Sequence, residues 1–300
     1  MKHISNYNLI KDGKLKIQKM LTGDLDFIGA ICLDPSVGKK EKAIMHNAMI
    51  ERISWIKEMT PEGLEIFIAT EEPQTKIINY KWAGKIKHSD LAIHGLVPMG
   101  LLEALPIEKA LEPIEGKRSL FINCMWVLPP FWLSGVGKSL LEFFLQRAKM
   151  IGGASLIAYE EVQWFGTSIK YMPISFFKKF GFKEVDRDGD CVLLHLNLGS
   201  DVQPHFIYPK TIYCEDVTNL IVDIFYNSQC PWSTYMINEI RGNQKKYPEV
   251  IFNYIETNDK KIIKQHGIAR GISINGKPVI KRMATWEEVE SAIKRRKRKI

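Results

Sequence analysis

Between Ser119 and Leu141 an apolar run, Leu120 to Leu128, meets Pro129 and Pro130, then Ser134-Gly135-Val136-Gly137-Lys138, then an amphipathic stretch. That order spells a strand, a glycine turn and a helix start, which together aim unpaired backbone N–H groups at an anion. Any side chain at Gly135 or Gly137 would hold a ligand's oxygens away from those amides, and the helix N-terminus adds partial positive charge at the same point. The pattern predicts a phosphorylated cofactor. About 40 residues on, Ser175-Phe176-Phe177-Lys178-Lys179-Phe180-Gly181-Phe182 reads as a short helix stopped by glycine and followed by a strand.

The surrounding pattern predicts an α/β layer. Leu15 to Met20 reads as a strand, and Lys40 to Glu58 as a helix with Met45, Met49, Ile53 and Ile56 on one face. Leu64 to Thr70 and Lys76 to Ile86 read as strands paired in a hairpin through Glu71-Glu72-Pro73-Gln74. His88 to Arg118, broken by Pro98, Gly100, Pro106, Pro113 and Gly116, reads as irregular with a short helix near Ile107 to Leu111. Ser139 to Met150, Ser155 to Tyr159, Ile169 to Phe180, Lys183 to Asp186 and Cys191 to Asn197 complete the layer as helix, strand, helix, strand and strand. Beyond Gly199 to Lys210, a linker with prolines, the order βαβ then ββα predicts a second, smaller domain: Leu220 to Tyr226, a helix to about Lys246, Val250 to Ile255, Asp259 to Gln265, Gly271 to Ile274, Pro278 to Lys281 and Thr285 to Lys294.

Composition narrows the function classes. A chain of 300 residues with 45% hydrophobic content has room for about two cores. No apolar run approaches the roughly 20 residues needed to span a bilayer, and Met1 to Asn6 lacks the apolar core of a signal peptide, so a cytoplasmic protein is expected. Cys32, Cys124, Cys191, Cys214 and Cys230 are scattered, which predicts neither a disulfide framework nor a metal site. The net charge of +8 is concentrated in Lys294-Arg295-Arg296-Lys297-Arg298-Lys299. With no interleaved aromatics, that run reads as a solvated helix end and not as a nucleic-acid site.

These motifs give a resemblance. Residues from about 15 to 198 resemble the GNAT acyltransferase superfamily, whose phosphate loop Q/R-x-x-G-x-G/A is matched at Gly135 and Gly137 with Trp132 in the first position. Phe-Phe-Lys-Lys-Phe-Gly-Phe resembles that family's FYEKxGF signature with Phe177 in the tyrosine position. Thr211 to Lys294 resembles the thioredoxin-like domain of YoaP-type proteins, with Cys230-Pro231-Trp232-Ser233 in place of a two-cysteine turn and no proline in Arg270 to Ile274 where a cis-proline is usual.

The resemblance implies a GNAT-type mixed central sheet flanked by helices (residues 1–198), a linker (199–210) and a smaller thioredoxin-like α/β domain with a basic tail (211–300). It implies an N-acetyltransferase that passes the acetyl group of acetyl-CoA directly to an amine, on a small molecule or on a peptide or protein. Backbone groups at Met125 and Val127 would hold the pantetheine arm, and Leu133, Ser134, Gly135, Val136, Gly137 and Lys138 the diphosphate. Phe177 has no proton to give, so Tyr171 is the substitute acid, with packing at a helix start as its plain structural role. Glu160 and Glu161 are candidate bases, or ordinary solvated carboxylates. Cys124 reads as core, and Trp126, Trp132 and Trp164 as packing or as an acceptor-pocket lining. Cys230, at a helix N-terminus where the dipole favours thiolate, is a candidate redox thiol or a retained scaffold residue. Two alternatives stay open: a non-catalytic acyl-CoA sensor, and a monothiol protein acting through Cys230. No membrane partner is expected, and a homodimer is left open.

Overall fold

The computed structural model describes residues 9–11, 15–33, 38–80, 84–159, 171–200, 202–208 and 219–298. In chain order come β1 (Leu9–Lys11), β2 (Leu15–Lys19), α1 (Leu25–Cys32), α2 (Lys39–Met59), β3 (Glu65–Glu71), β4 (Ile77–Tyr80), β5 (Gly84–Lys87), β6 (Val97–Pro106), β7 (Ile114–Glu115) and β8 (Leu120–Val127). Then follow α3 (Val136–Ile151), β9 (Gly153–Tyr159), α4 (Ile174–Lys178), β10 (Lys183–Asp188), β11 (Cys191–Asn197) and β12 (His205–Phe206). The remainder is β13 (Leu220–Tyr226), α5 (Pro231–Asn243), β14 (Val250–Glu256), α6 (Lys260–His266), β15 (Gly271–Ile274), β16 (Lys277–Ile280) and α7 (Trp286–Lys297).

The large sheet runs β1-β2-β3-β6-β8-β9-β11-β10, a mixed sheet flanked by helices. Its pairings are antiparallel except β8 with β9, which are parallel and joined only from Leu120 opposite Ala154 to Ile122 opposite Leu156. A hydroxyl pair, Ser119 Oγ to Ser155 Oγ at 2.8 Å, pins that closed end. Beyond it the strands part, and the cause lies on the other side of β8: Glu103 faces Cys124 while Ala104 faces Ile122, leaving Asn123 as an extra, bulged residue. A bulge bends its strand and re-aims the side chains at the bend.

Cross-strand partners share a face. Phe67, Leu102 and Met125 lie in one cross-strand row on the α3 side, where Phe67 stacks edge-on against Phe143 at 5.5 Å. Ile66, Glu103 and Cys124 lie on the opposite face, towards α2, whose Arg52 reaches Glu103. The helix predicted over Lys40 to Glu58 thus covers the second face, with Met45, Met49, Arg52, Trp55 and Ile56 buried.

Two sequence expectations are corrected here. Glu65–Glu71 does not pair with the segment after it; β3 lies between β2 and β6, and β4 and β5 form their own hairpin. The stretch expected to be irregular contains β6, a ten-residue strand at the centre of the sheet. Two of its breakers answer to the neighbouring strands. Pro98 sits where the β3 register shifts, and a Cβ on Gly100 would come within 2.6 Å of the Trp126 carbonyl.

The second sheet runs β14-β13-β15-β16, with β13 parallel to β14 and antiparallel to β15. Val222, Ile224, Ile272 and Ile274 from this sheet close a separate core with Met236 and Ile240 of α5 and Val289 and Ile293 of α7. The two units meet along α2 and α5. Arg270 pairs with Glu112, Lys264 with Glu115 at 2.6 Å, Lys281 with Asp188, and the Lys260 ammonium donates to the Ala110 carbonyl at 2.6 Å. Among the described residues no helix is long and apolar enough to cross a membrane, and no His, Cys, Asp and Glu cluster could hold a metal ion.

Candidate functional site

The fork between β8 and β9 opens towards the turn that starts α3. Leu133 and Gly135 both adopt left-handed backbone, φ 61° and φ 88°, and Gly135 is the residue that caps the helix. A Cβ on Gly135 would meet nothing within 4 Å, so the space beside this residue's Cα is open. The first hydrogen bond of the helix runs from the Ser139 N–H to the Gly135 carbonyl at 2.9 Å, which leaves the N–H groups of Val136, Gly137 and Lys138 with no intrahelical acceptor. Leu133 projects fully into solvent, and the exposed Ser134 donates its hydroxyl back to the Phe131 carbonyl at 2.6 Å.

Gly137 differs in its reason for being glycine. A Cβ there would lie 3.2 Å from Met125 Cε and 3.7 Å from Phe176, so its bareness lets α3 pack on β8. Lys138 lies 3.7 Å from Glu142 one turn on, with more than half of its side chain exposed. On β8, Met125 and Val127 are half-buried beside the fork. The Val127 carbonyl accepts from the Trp132 indole at 2.6 Å, and Trp126 packs edge-on against that indole. Phe177 is buried in the core between Phe176 and Phe182.

Tyr171 stands across the fork from β8. Its hydroxyl donates to Cys124 Sγ at 3.7 Å, and its ring lies 6.0 Å from that of Tyr159. The next residues close over the end of β9, where the Tyr159 N–H donates to the Met172 carbonyl. Burial, with Cys124, Cys230 and Tyr159 adding to it, pushes the Tyr171 phenol well above its usual range, so it keeps its proton at neutral pH. Glu160, Glu161 and Trp164 lie outside the described residues.

A buried polar node, absent from the sequence reading, occupies the α2 face beside the bulge. Arg52 donates to Glu103 Oε2 at 2.8 Å and to the Gln229 carbonyl, while Asn123 Nδ2 donates to Glu103 Oε1 at 3.3 Å. The Gln229–Cys230 turn that opens α5 therefore lies against the same face as Cys124. Burial works against the Arg52 charge, but the Glu103 carboxylate beside it offsets that cost and the guanidinium stays ionised. The same burial pushes the Cys230 thiol up to about 12, against the pull of Arg52. That overrides the helix-start effect expected from sequence, so Cys230 is a thiol at neutral pH. The signal for the node was present, as charged or amide residues inside apolar strands, Glu103 between Leu102 and Ala104 and Asn123 between Ile122 and Cys124. Nothing in sequence spacing says that they meet.

No family model matches the chain. The uncharacterized N-acetyltransferase YoaP of Bacillus subtilis (strain 168) is 25% identical over 201 residues, which is 67% of this chain and 68% of that protein. Among solved structures, the PaiA N-acetyltransferase of Thermoplasma acidophilum, in complex with coenzyme A, is similar over 61% of this chain and 98% of its own, at 16% identity and a TM-score of 0.38. An N-acetyltransferase of Staphylococcus aureus Mu50 gives the same coverage at 15% identity and a TM-score of 0.38.

Proposed function

We propose that residues from about 15 to 198 form an acetyl-CoA-dependent N-acetyltransferase of the GNAT family that passes the acetyl group directly to an amine, and that the following unit is thioredoxin-like. The observation that carries the first part is the fork: a single parallel pairing in the large sheet, parted at a bulge, with the bare N-terminus of α3 at its mouth. Likeness to YoaP over two thirds of the chain supports it. The sheet order β14-β13-β15-β16, with α5 starting directly after the Cys230 turn, supports the second part.

The chain's residues fit such a cofactor. The N–H groups of Val136, Gly137 and Lys138 and the open space at Gly135 suit a diphosphate, with Leu133 and Ser134 shaping the turn. The parted edge of β8 at Met125 and Val127 offers main-chain groups to an extended arm. Bound acetyl-CoA supplies a thioester carbonyl open to attack by an amine. Tyr171, kept protonated by burial, is the group that can give a proton to a leaving thiolate. Glu160 or Glu161 would accept the amine's proton.

Acetyl-CoA at about 100 times its dissociation constant is expected to stabilise the fold by about 2.7 kcal/mol, read as a rise in melting temperature. Gly135→Asp should abolish that rise, because a carboxylate faces the phosphates on a backbone that disfavours side chains. No shift in the wild type, or an equal shift in the variant, refutes the placement. A second reading, an acyl-CoA sensor without turnover, is favoured by the way the Gln229–Cys230 turn is tied by Arg52 to the face behind the fork. Release of free CoA thiol with any amine in a screen of amine classes decides against it.

A further inference from the structure

α7 lies on the second core with Trp286, Val289, Ala292 and Ile293 turned inward. Its outer face carries Glu287, Glu290, Ser291, Lys294, Arg295 and Arg298, which line a groove of about 280 Å³. These residues recur every three or four positions, so they form one stripe along about 16 Å of helix. The stripe is divided by charge, with both acids in its first half and all three cations in its second. Glu290 is held by Lys294 at 2.9 Å and by the Tyr247 hydroxyl, which donates to it at 3.0 Å. Among the described residues, Glu287, Arg295 and Arg298 have no ion-pair partner. Burial, together with Glu287, pushes the Glu239 carboxyl up, the mark of an acidic end short of a cation.

We propose that this stripe is the contact between two copies of the chain, which pair α7 against α7, antiparallel, about a twofold axis crossing the helix between Ala292 and Ile293. A twofold axis makes one patch serve both sides, so the patch must complement itself when reversed. This one does. Glu287 meets the partner's Arg298, Glu290 meets the partner's Lys294, and the Ser291 hydroxyl accepts from the partner's Arg295. Each contact occurs twice, and the opposed helix dipoles favour the same arrangement. Ser291, the only small side chain of the six, lies near the axis, where the two helices come closest. A parallel pairing would set Glu287 against its own copy and Arg298 against its own. A polyanion would meet Glu287 and Glu290 along with the cations, which is why a second copy is the occupant that fits. Exposed ion pairs are worth little singly, so the contact is weak, salt-sensitive and dependent on concentration. It needs nothing from the acyltransferase reading.

The test is sedimentation equilibrium of the full chain from about 10 µM to about 1 mM. At about 0.1 M salt the wild type is expected to dimerise with a dissociation constant below about 1 mM. Raising the salt to about 1 M, which shortens the screening length from about 10 Å to about 3 Å, should weaken the dimer at least about fivefold. Glu287→Arg sets arginine against Arg298 across the axis, and Arg298→Glu sets glutamate against Glu287, so each alone should weaken it at least about fivefold as well. Both together in one chain exchange the charges and should restore the dimer to within about twofold of the wild type. Neither residue is buried, and an unchanged melting temperature shows that each variant is folded. A wild type that stays monomeric throughout, a dimer indifferent to salt and to both reversals, or a double variant as weak as the singles overturns the inference. So does a monomeric wild type that binds heparin and loses that binding in Arg298→Glu, which would assign the stripe to an anionic partner.

Discussion

In the proposed reaction Tyr171 takes the proton-donating part that a tyrosine in the Phe177 position has in the family the chain resembles. Phe177 is locked between two other phenylalanines, whereas Tyr171 brings a hydroxyl to the fork from the opposite direction. Because burial lifts the phenol's pKa, its deprotonation does not limit the reaction below about pH 10, its ordinary value. Tyr171→Phe is expected to lower kcat by about 100-fold while acetyl-CoA affinity holds within about twofold; stopped-flow thiol release and calorimetry give the two numbers. An unchanged kcat assigns the proton elsewhere. The substitution of Phe177 and the nearness of Tyr171 in sequence were legible, as was the glycine of the turn, since each is a local property. The role of Gly137 was not, because its neighbour Met125 comes from another element.

At the level of elements, the strand before the turn, α3, β9 and β11 could be read from periodicity, and β6 could not. A run with Pro98, Gly100 and Pro106 carries every local mark of a loop, yet in the sheet Pro98 and Gly100 each answer to a neighbouring strand. Gly100 is the clearest, since β6 and β8 approach so closely there that a Cβ would sit 2.6 Å from the Trp126 carbonyl and 3.0 Å from Val127 Cα. Both are backbone atoms in a strand held from two sides and cannot yield as a flexible side chain would. Gly100→Ala should therefore destabilise the protein by about 2 kcal/mol, read as a lower urea midpoint at unchanged slope. A neutral result means that the two strands can part, and with them the rigid wall of the fork. The same logic explains the misread hairpin. Glu65–Glu71 is buried along its whole length and so demands strands on both sides, which the exposed β4 and β5 do not supply.

Across the whole molecule, the two units are joined by charges that the sequence distributes over more than 200 residues, and no local pattern reveals which will meet. Lys260 is the informative one. Its ammonium reaches the Ala110 carbonyl across the junction, and burial, aided by Lys264, lowers its pKa from 10.5 to about 8. The folded protein therefore releases this proton near pH 8, while the unfolded chain keeps it to about 10.4. Between those values the unfolded state binds more protons, so stability rises with pH across that window, by at most about 3 kcal/mol from this group. Below pH 8 both states carry the charge and the folded one bears the cost of burying it. Lys260→Met removes that cost along with one hydrogen bond. The difference in unfolding free energy between variant and wild type should accordingly favour the variant most at pH 7 and shrink steadily towards pH 10. A difference that stays flat from pH 7 to pH 10 would mean that Lys260 titrates normally and that water reaches the junction between the units.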